Sequence, residues 1–341
     1  MKTVRLLIGG LGNAAYPMVK LLETEKERMA SDFGLEFVVV GVADSKGAAV
    51  NSAGISPAEI LDIKQRCGTV SAGIGRPQMT AQEMILQCDA DIYVDGLPPY
   101  LPTGEPGATN LRTAISRGMH AVTANKAPMA LYWKELFDLA AANHVQLRYG
   151  TAASSGLPTL EMGRMLGECG ELLEFGGIFN ASCMYVIDAM KKGESFDDAV
   201  DGARKGGFLE PNPAMDIEGW DTAMKTVIQA NTYWNAACTL DDVEIQGIRD
   251  LTAEDVQQAA LRKEAWCMVG RAILENGKLK LTAKPECLPE DHPLAKARWC
   301  DKALWLRTRT QGEQVHYCLD ASASSTPGNM YLDVVLIARS M

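Results

Sequence analysis

Residues 4–22 read VRLLIGGLGNAAYPMVKLL. A short apolar run, Val4–Ile8, meets glycines at once, and apolar residues then recur at helical spacing between Ala14 and Leu22. This order predicts a strand, a tight turn and a helix. The turn spans Gly10–Ala15 and matches the G-x-G-x-x-A fingerprint of dinucleotide-binding proteins. The first glycine permits the turn, the second admits a pyrophosphate, and the last small residue lets helix and strand pack closely.

The fingerprint predicts a cofactor site at the start of this first helix, where free N–H groups and the helix dipole favour an anion. The predicted contacts in the turn are Gly10, Gly12, Asn13 and Ala14. A second buried strand, Phe37–Ala43, ends at Asp44, whose carboxylate can hydrogen-bond an adenosine ribose. Asp44 alone favours NAD because a carboxylate repels a 2′-phosphate. Lysines or an arginine nearby could reverse this preference, so the sequence predicts NAD or NADP; these residues are Lys46, Lys64 and Arg66.

Further strands and helices alternate after Asp44. Strands are predicted at 91–94, 120–123 and 145–149, and helices at 110–117 and 133–142. Such alternation is typical of an α/β fold with a Rossmann-type, doubly wound parallel sheet. From about residue 152 the predicted helices, among them one at 221–233, and the predicted strands, among them 173–180 and 303–309, favour a second, α+β region.

Composition excludes several classes of protein. The chain has 341 residues, of which 47% are hydrophobic and 22% charged, as expected of two globular domains. A net charge of −10 disfavours nucleic acid as a partner. The nine cysteines are scattered without a C-x-x-C pair, and no apolar run approaches the roughly 18 residues of a membrane span. We therefore expect a cytoplasmic protein that acts on a small molecule and does not enter a membrane.

A second group of polar residues lies in the later half of the chain. A turn-rich loop at 206–213 leads into a helix on which Asp221 and Lys225 are four residues apart, and therefore on one face. The pair could be a solvated surface ion pair worth a few tenths of a kcal/mol. Alternatively it could be catalytic, because oxidation of an alcohol needs a group that takes the hydroxyl proton, and a lysine with a lowered pKa can do so.

Several separated motifs, taken together, resemble the homoserine dehydrogenases, in the short form that lacks a regulatory domain. The most specific are T-A-N-K at 123–126 and D-x-x-G-x-D-x-x-x-K at 216–225. The others, in family order over roughly the whole chain, are the segments 10–15, 42–45, 103–106, 155–158, 177–180 and 210–211.

The resemblance implies a role for each site residue. It implies that Lys225 is the acid/base, that Asp221 orients the substrate hydroxyl, and that Lys126 is a second cation beside the nicotinamide. Substrate contacts are implied for Glu210, Asp216 and Gly156, and cofactor contacts for Ser45 and Asn125. It also implies a homodimer. The expected domains are 1–151 for the dinucleotide and 152–310 for substrate and dimerisation, with 311–341 returning to the first.

The chain departs from the family pattern near the expected site. Residues 150–153 read Gly-Thr-Ala-Ala where the family has Glu-Ala-Thr-Val, so we predict no metal site. The segments 180–184 and 320–324 lack the family's glycines, which should alter the shape of the pocket. Two alternatives therefore stay open: a dehydrogenase of another small hydroxy acid, and a non-catalytic dinucleotide sensor.

Overall fold

A seven-stranded sheet forms the centre of the first half of the chain. The structure is a computed structural model that describes residues 1–73, 75–209, 213–321 and 324–341. The strands are β1 (Lys2–Gly9), β2 (Leu35–Asp44), β3 (Gly47–Ile55), β4 (Gly75–Pro77), β5 (Ile92–Asp95), β6 (His120–Thr123) and β7 (Leu147–Arg148). Their order in the sheet is β4-β3-β2-β1-β5-β6-β7.

Seven helices connect these strands and follow the last of them. They are α1 (Ala15–Thr24), α2 (Lys26–Phe33), α3 (Pro57–Cys67), α4 (Ala81–Gln87), α5 (Gly107–Ser116), α6 (Lys126–Ala142) and α7 (Gly150–Ser154). Since β2 and β5 flank β1 on opposite sides, the strand order reverses there, and doubly wound folds bind ligands at this switch point.

The α/β fold class with a Rossmann-type sheet is confirmed, with one addition at an edge. The five strands from β2 through β7 in sheet order are parallel, as predicted. At the other edge β3 runs antiparallel to β2, and β4 antiparallel to β3. A tight turn causes the reversal: Asp44 accepts a hydrogen bond from the Lys46 N–H at 2.9 Å, and Gly47 adopts a φ of +152°. The chain thus forms a hairpin where a helical crossover was expected.

A six-stranded sheet with helices forms the centre of the second half. Its helices are α8 (Thr159–Glu168), α9 (Ala181–Lys191), α10 (Phe196–Lys205), α11 (Ala214–Ile217), α12 (Trp220–Trp234) and α13 (Ala253–Leu261). Its strands are β8 (Leu172–Ile178), β9 (Val243–Ile245), β10 (Glu264–Glu275), β11 (Lys278–Pro289), β12 (Lys302–Thr308) and β13 (Glu313–Cys318), in the order β13-β12-β8-β10-β11-β9.

The chain divides into two units, Met1–Gly156 with Ala323–Met341 and Leu157–Ser322. The sequence places the corresponding boundaries at 151/152 and 310/311. The last helix, α14 (Ser325–Ser340), belongs to the first unit, where Met330, Val334 and Ile337 join the same buried cluster as α1 and β1. Within the described ranges, no helix combines the length and apolar character that crossing a membrane requires.

Candidate active site

A cleft of about 750 Å³ opens at the carboxyl ends of the strands in the first unit. The glycine turn lines it, and Gly10 adopts a φ of +85°. A Cβ at Gly10 would lie 2.9 Å from the backbone of Gly96 and Leu97, whereas Gly12 faces open space. Glycine at position 10 therefore allows the turn to lie close to the loop at Gly96 and Leu97, and the backbone of Gly12 stays accessible. This arrangement fits a pyrophosphate.

Helix α1 begins directly after this turn. Ala14 occupies its N-cap without a side-chain hydrogen bond to the helix, and the preceding Asn13 is exposed. First-turn N–H groups that the cap residue does not bind can serve a ligand anion. All four predicted contacts of the fingerprint thus lie at or beside the cleft.

Asp44 also lines the cleft, with a side chain that is 3% exposed. Its Oδ2 accepts from Lys64 Nζ at 2.7 Å and from the Val70 N–H at 2.9 Å. Its Oδ1 accepts from Thr69 Oγ1 at 3.0 Å as well as from the Lys46 N–H. Burial alone would raise the pKa of this carboxyl, but hydrogen bonds, led by that from Lys64, lower it below its usual value. Asp44 is therefore ionised and already accepts four hydrogen bonds.

Two of the three cations near Asp44 form ion pairs within the chain. Lys64 is paired with Asp44, and Arg66 forms an exposed ion pair with Asp62 at 2.6 Å. Ser45 and Lys46 are exposed at the tip of the hairpin, and Ser45 lines the cleft.

The T-A-N-K loop joins β6 to α6 in the first unit. Asn125 is buried and caps α6, accepting from the Ala127 N–H at 3.2 Å, while its own N–H donates to Thr123 Oγ1. Thr123 Oγ1 donates in turn to the fully buried Asp95 at 3.0 Å. Lys126 is the first residue of α6 and is partly buried. Asp95 thus anchors this loop, and sequence reasoning did not single it out.

The second unit brings Asp216, Asp221 and Lys225 together. Lys225 Nζ donates to Asp221 Oδ2 and to the Phe179 carbonyl oxygen, both at 2.6 Å. The Lys225 side chain is 12% exposed and that of Asp221 8%. The pair is therefore buried, unlike a solvated surface ion pair.

Asn180 connects the two carboxylates and was not predicted as a site residue. Its Nδ2 donates to Asp216 Oδ1 at 2.5 Å and to Asp221 Oδ2 at 2.9 Å, while its Oδ1 caps α9 by accepting from the Cys183 N–H. The segment 180–184, interpreted from sequence as an altered turn, is thus the start of a helix. An asparagine followed by a regular apolar spacing could have indicated this cap. Burial, reinforced by the neighbouring Asp216 and Asp221, raises the pKa of the Cys183 thiol well above its usual value, so it stays protonated.

The other two predicted substrate contacts are Gly156 and Glu210. Gly156 is exposed at the end of the first unit, with a φ of +84°. Glu210 lies outside the described residues.

Within the described ranges, one group of side chains has metal-ligating geometry: Cys300, Asp301 and Asp320. The guanidinium of Arg298 already bridges these two carboxylates, at 2.8 Å from each. The negative charge of the two carboxylates is thus balanced by an arginine of the same chain.

A dinucleotide cleft in one unit and a buried lysine–carboxylate cluster in the other define an NAD(P)-dependent oxidoreductase that acts on a CH–OH group. The family model for homoserine dehydrogenase matches residues 158–335. That for glutamate/leucine/phenylalanine/valine dehydrogenase matches residues 1–96. The chain belongs to the homoserine dehydrogenase family.

Relatives agree with this assignment over the full length. The chain is 28% identical to an NAD(+)-dependent homoserine dehydrogenase of Pseudomonas canavaninivorans, covering 100% of this chain and 97% of the relative. It is 32% identical to the homoserine dehydrogenase of Methanocaldococcus jannaschii, covering 85% of each. A putative homoserine dehydrogenase from Archaeoglobus fulgidus has a similar crystal structure, with a TM-score of 0.86, 28% identity, and coverage of 98% and 99%. The alternatives of another substrate or a non-catalytic sensor are not favoured.

Proposed function

We propose that this chain transfers hydride reversibly between NAD(P) and the pair L-homoserine and L-aspartate semialdehyde, with Lys225 as the acid/base. The observation that carries the proposal is the buried contact of Lys225 Nζ with Asp221 and the Phe179 carbonyl. Both partners are acceptors, so they hold the amine at one point on α12. A fixed amine is what a proton transfer to a substrate oxygen requires.

A nicotinamide held in the cleft of the first unit would supply or receive the hydride. In the reduction, Lys225 as ammonium donates its proton to the aldehyde oxygen, which becomes the alcohol hydroxyl. In the oxidation, the amine of Lys225 takes that proton back. Asp221 holds the lysine and orients the hydroxyl, and Asp216 adds a second carboxylate that suits the substrate's ammonium group.

Further roles rest on the family resemblance. Lys126 would be a second cation for the substrate, while Glu210 and Gly156 would contact it. The cofactor would contact Gly10, Gly12, Asn13, Ala14, Ser45 and Asn125. Asp44 would meet a ribose hydroxyl in place of Thr69, whose hydroxyl has a second partner, Ser71 Oγ, at 2.9 Å. We also propose that the protein is cytoplasmic and forms a homodimer. Light scattering of the purified protein would test the dimer.

The test of the lysine is its replacement by methionine, Lys225→Met, which keeps the aliphatic length and removes the amine. A matched control exists on α9, where Lys192 pairs with Asp188 at the same spacing and the same 2.6 Å but is 67% exposed. Turnover would be followed by NADH and NADPH absorbance with L-homoserine and with aspartate semialdehyde. We expect Lys225→Met to lower kcat by about 10²–10⁴-fold in both directions, and Lys192→Met to leave it unchanged.

Binding distinguishes loss of chemistry from loss of the fold. The dissociation constant of NADH should be unchanged in Lys225→Met, because the cofactor cleft lies in the first unit. If the kcat of Lys225→Met stays within about threefold of the wild-type value, Lys225 is not the acid/base. If the wild-type protein binds the cofactor but converts neither substrate, homoserine is not its substrate.

A further inference from the structure

Two buried polar side chains lie beneath the glycine turn of the first unit. Tyr93, on β5, is fully buried, and Asn110, on α5, is 1% exposed. A Cβ at Gly9 would collide with the Tyr93 hydroxyl, so this hydroxyl lies directly against the backbone that leads into the turn. Among the described residues, neither the Tyr93 hydroxyl nor Asn110 Nδ2 has a hydrogen-bond partner. Buried groups of this kind are uncommon in folded proteins and call for an explanation.

The two groups are neighbours, and the Asn110 amide lies with its donor end toward the phenol oxygen, so the phenol proton has no acceptor. Burial raises the pKa of Tyr93 well above its usual value, the nearby Asp95 adds to the rise, and the Asn110 side chain acts in the opposite direction. An asparagine amide has an acceptor end and a donor end of almost equal size. With Oδ1 toward Tyr93, the hydroxyl would donate to Asn110 and gain its partner. The Nδ2 end would then turn to the other side of the residue.

That other side is the cofactor cleft. Asn110 lines it together with Gly10, Gly96 and Pro106. Helix α5 follows β5, which flanks β1 on the side away from β2 and Asp44. In a doubly wound sheet the two halves of a dinucleotide lie on opposite sides of this reversal, with the adenosine half near the end of β2. Asn110 is therefore at the half of the cleft that would hold the nicotinamide mononucleotide.

We infer that Asn110 binds the nicotinamide half of the dinucleotide, donating its Nδ2 to an oxygen of the nicotinamide ribose, and that the Tyr93 hydroxyl is the positioning residue that orients the amide. The inference rests on the proposed function only in requiring that a dinucleotide occupies the cleft. This arrangement gives the Tyr93 hydroxyl an acceptor in the Asn110 amide oxygen, and it gives Asn110 Nδ2 an acceptor in the cofactor.

The experiment measures dissociation constants by calorimetry for three ligands: NADH, ADP-ribose and ADP. The variant Asn110→Leu fills the same space without a donor, and Thr113→Val on the same helix is the control, because its hydroxyl donates only within the helix, to the Thr109 carbonyl. We expect Asn110→Leu to weaken NADH and ADP-ribose by about tenfold, the value of one hydrogen bond, and to leave ADP within about twofold. Thr113→Val should change none of the three.

Tyr93→Phe tests the positioning role separately and covers the case in which Asn110→Leu does not fold. It removes the hydroxyl and keeps the packing of the ring, so the melting temperature should change little, yet the affinity for NADH and ADP-ribose should fall by a few-fold because the amide is no longer held in one orientation. A purely structural role for these residues would change the melting temperature and leave all dissociation constants unchanged, which would overturn the inference. Equal weakening of ADP would overturn the assignment to the nicotinamide half. Both outcomes are independent of turnover with homoserine.

Discussion

Asp95 gives the first unit a predicted dependence of stability on pH, and Asp95→Asn tests it. The carboxyl is fully buried and accepts from the Leu97 N–H at 3.2 Å and from Thr123 Oγ1 at 3.0 Å. Burial outweighs these hydrogen bonds and raises the pKa of Asp95 from 3.8 to about 7. The folded protein therefore binds a proton between about pH 4 and pH 7 that the unfolded chain does not bind.

The sign and size of the effect follow from this difference. Because the folded state binds more protons in this window, stability falls as the pH rises, and it levels off above pH 7. At about 1.4 kcal/mol per pH unit, the shift corresponds to a loss of about 4 kcal/mol between pH 4 and pH 8. Asparagine has nearly the same shape and does not titrate. The free energy of unfolding of Asp95→Asn, relative to wild type, should therefore rise by about 4 kcal/mol over the same range.

The assay must report on the first unit alone, because the chain has two units and need not unfold in one step. Pulse-labelling hydrogen exchange with mass spectrometry, at increasing urea and at pH 4 and pH 8, would follow peptides from β5. Asp89→Asn is the control, since the Asp89 side chain is 95% exposed and should contribute no such difference. If wild type and Asp95→Asn keep a constant separation at both pH values, the argument from burial is wrong.

Three further predictions concern buried charges and close packing. In Asp44→Asn, the free energy of unfolding of the first unit, measured with urea at pH 7, should fall by about 1–3 kcal/mol, because a carboxylate that accepts four hydrogen bonds is lost. The lowered pKa of Asp44 means that its contribution is complete above the unfolded pKa of about 4 and declines as the pH falls through the lower folded pKa, so a deficit that does not shrink at all between pH 7 and pH 3 would contradict the assignment. Glu174→Gln should destabilise the second unit by about 3–5 kcal/mol, because Glu174 is 7% exposed between Arg271 and Arg307, each at 2.6 Å. The exposed pair of Arg262 and Glu264 is its control, and Glu264→Gln should cost under about 1 kcal/mol in the same unfolding measurement. In Gly167→Ala the new Cβ would collide with the Tyr233 carbonyl and lower stability by about 1–3 kcal/mol, whereas Gly328→Ala meets nothing within 4 Å and should raise it by about 0.5–1 kcal/mol. Equal melting temperatures for these two glycine variants would show that the contact of α8 with α12 is looser than described.

Elements with a strong local pattern were predictable from sequence. The glycine turn was placed correctly because a strand, two glycines and an amphipathic helix follow one another within about 20 residues. The helix predicted at 221–233 is α12, Trp220–Trp234, since its apolar spacing and its preceding glycine are local signals. The strands predicted at 173–180 and 303–309 are β8 and β12 for the same reason.

Features set by distant residues were not predictable in the same way. The sequence gives Asp44 a ligand role, but three of its four donors come from Lys64, Thr69 and Val70, 20–26 residues later, after a hairpin and a helix. The hairpin itself depends on a glycine at φ +152°, which composition does not reveal. Tertiary contacts of this kind decide whether a carboxylate is available to a ligand or occupied within the fold.

Asn180 shows how such a distant contact organises the cluster of Asp216, Asp221 and Lys225. Asp216 and Asp221 are 36 and 41 residues away from it in sequence, and two carboxylates this close would repel each other in a buried site. The amide Nδ2 has two N–H groups, and each carboxylate accepts from it, so its donors match the acceptors available. Its oxygen is occupied by the Cys183 N–H at the start of α9, which fixes the amide's orientation. Asp221 Oδ2 therefore receives both Asn180 and Lys225, and the position of the lysine depends on a helix cap that no local motif around Lys225 encodes.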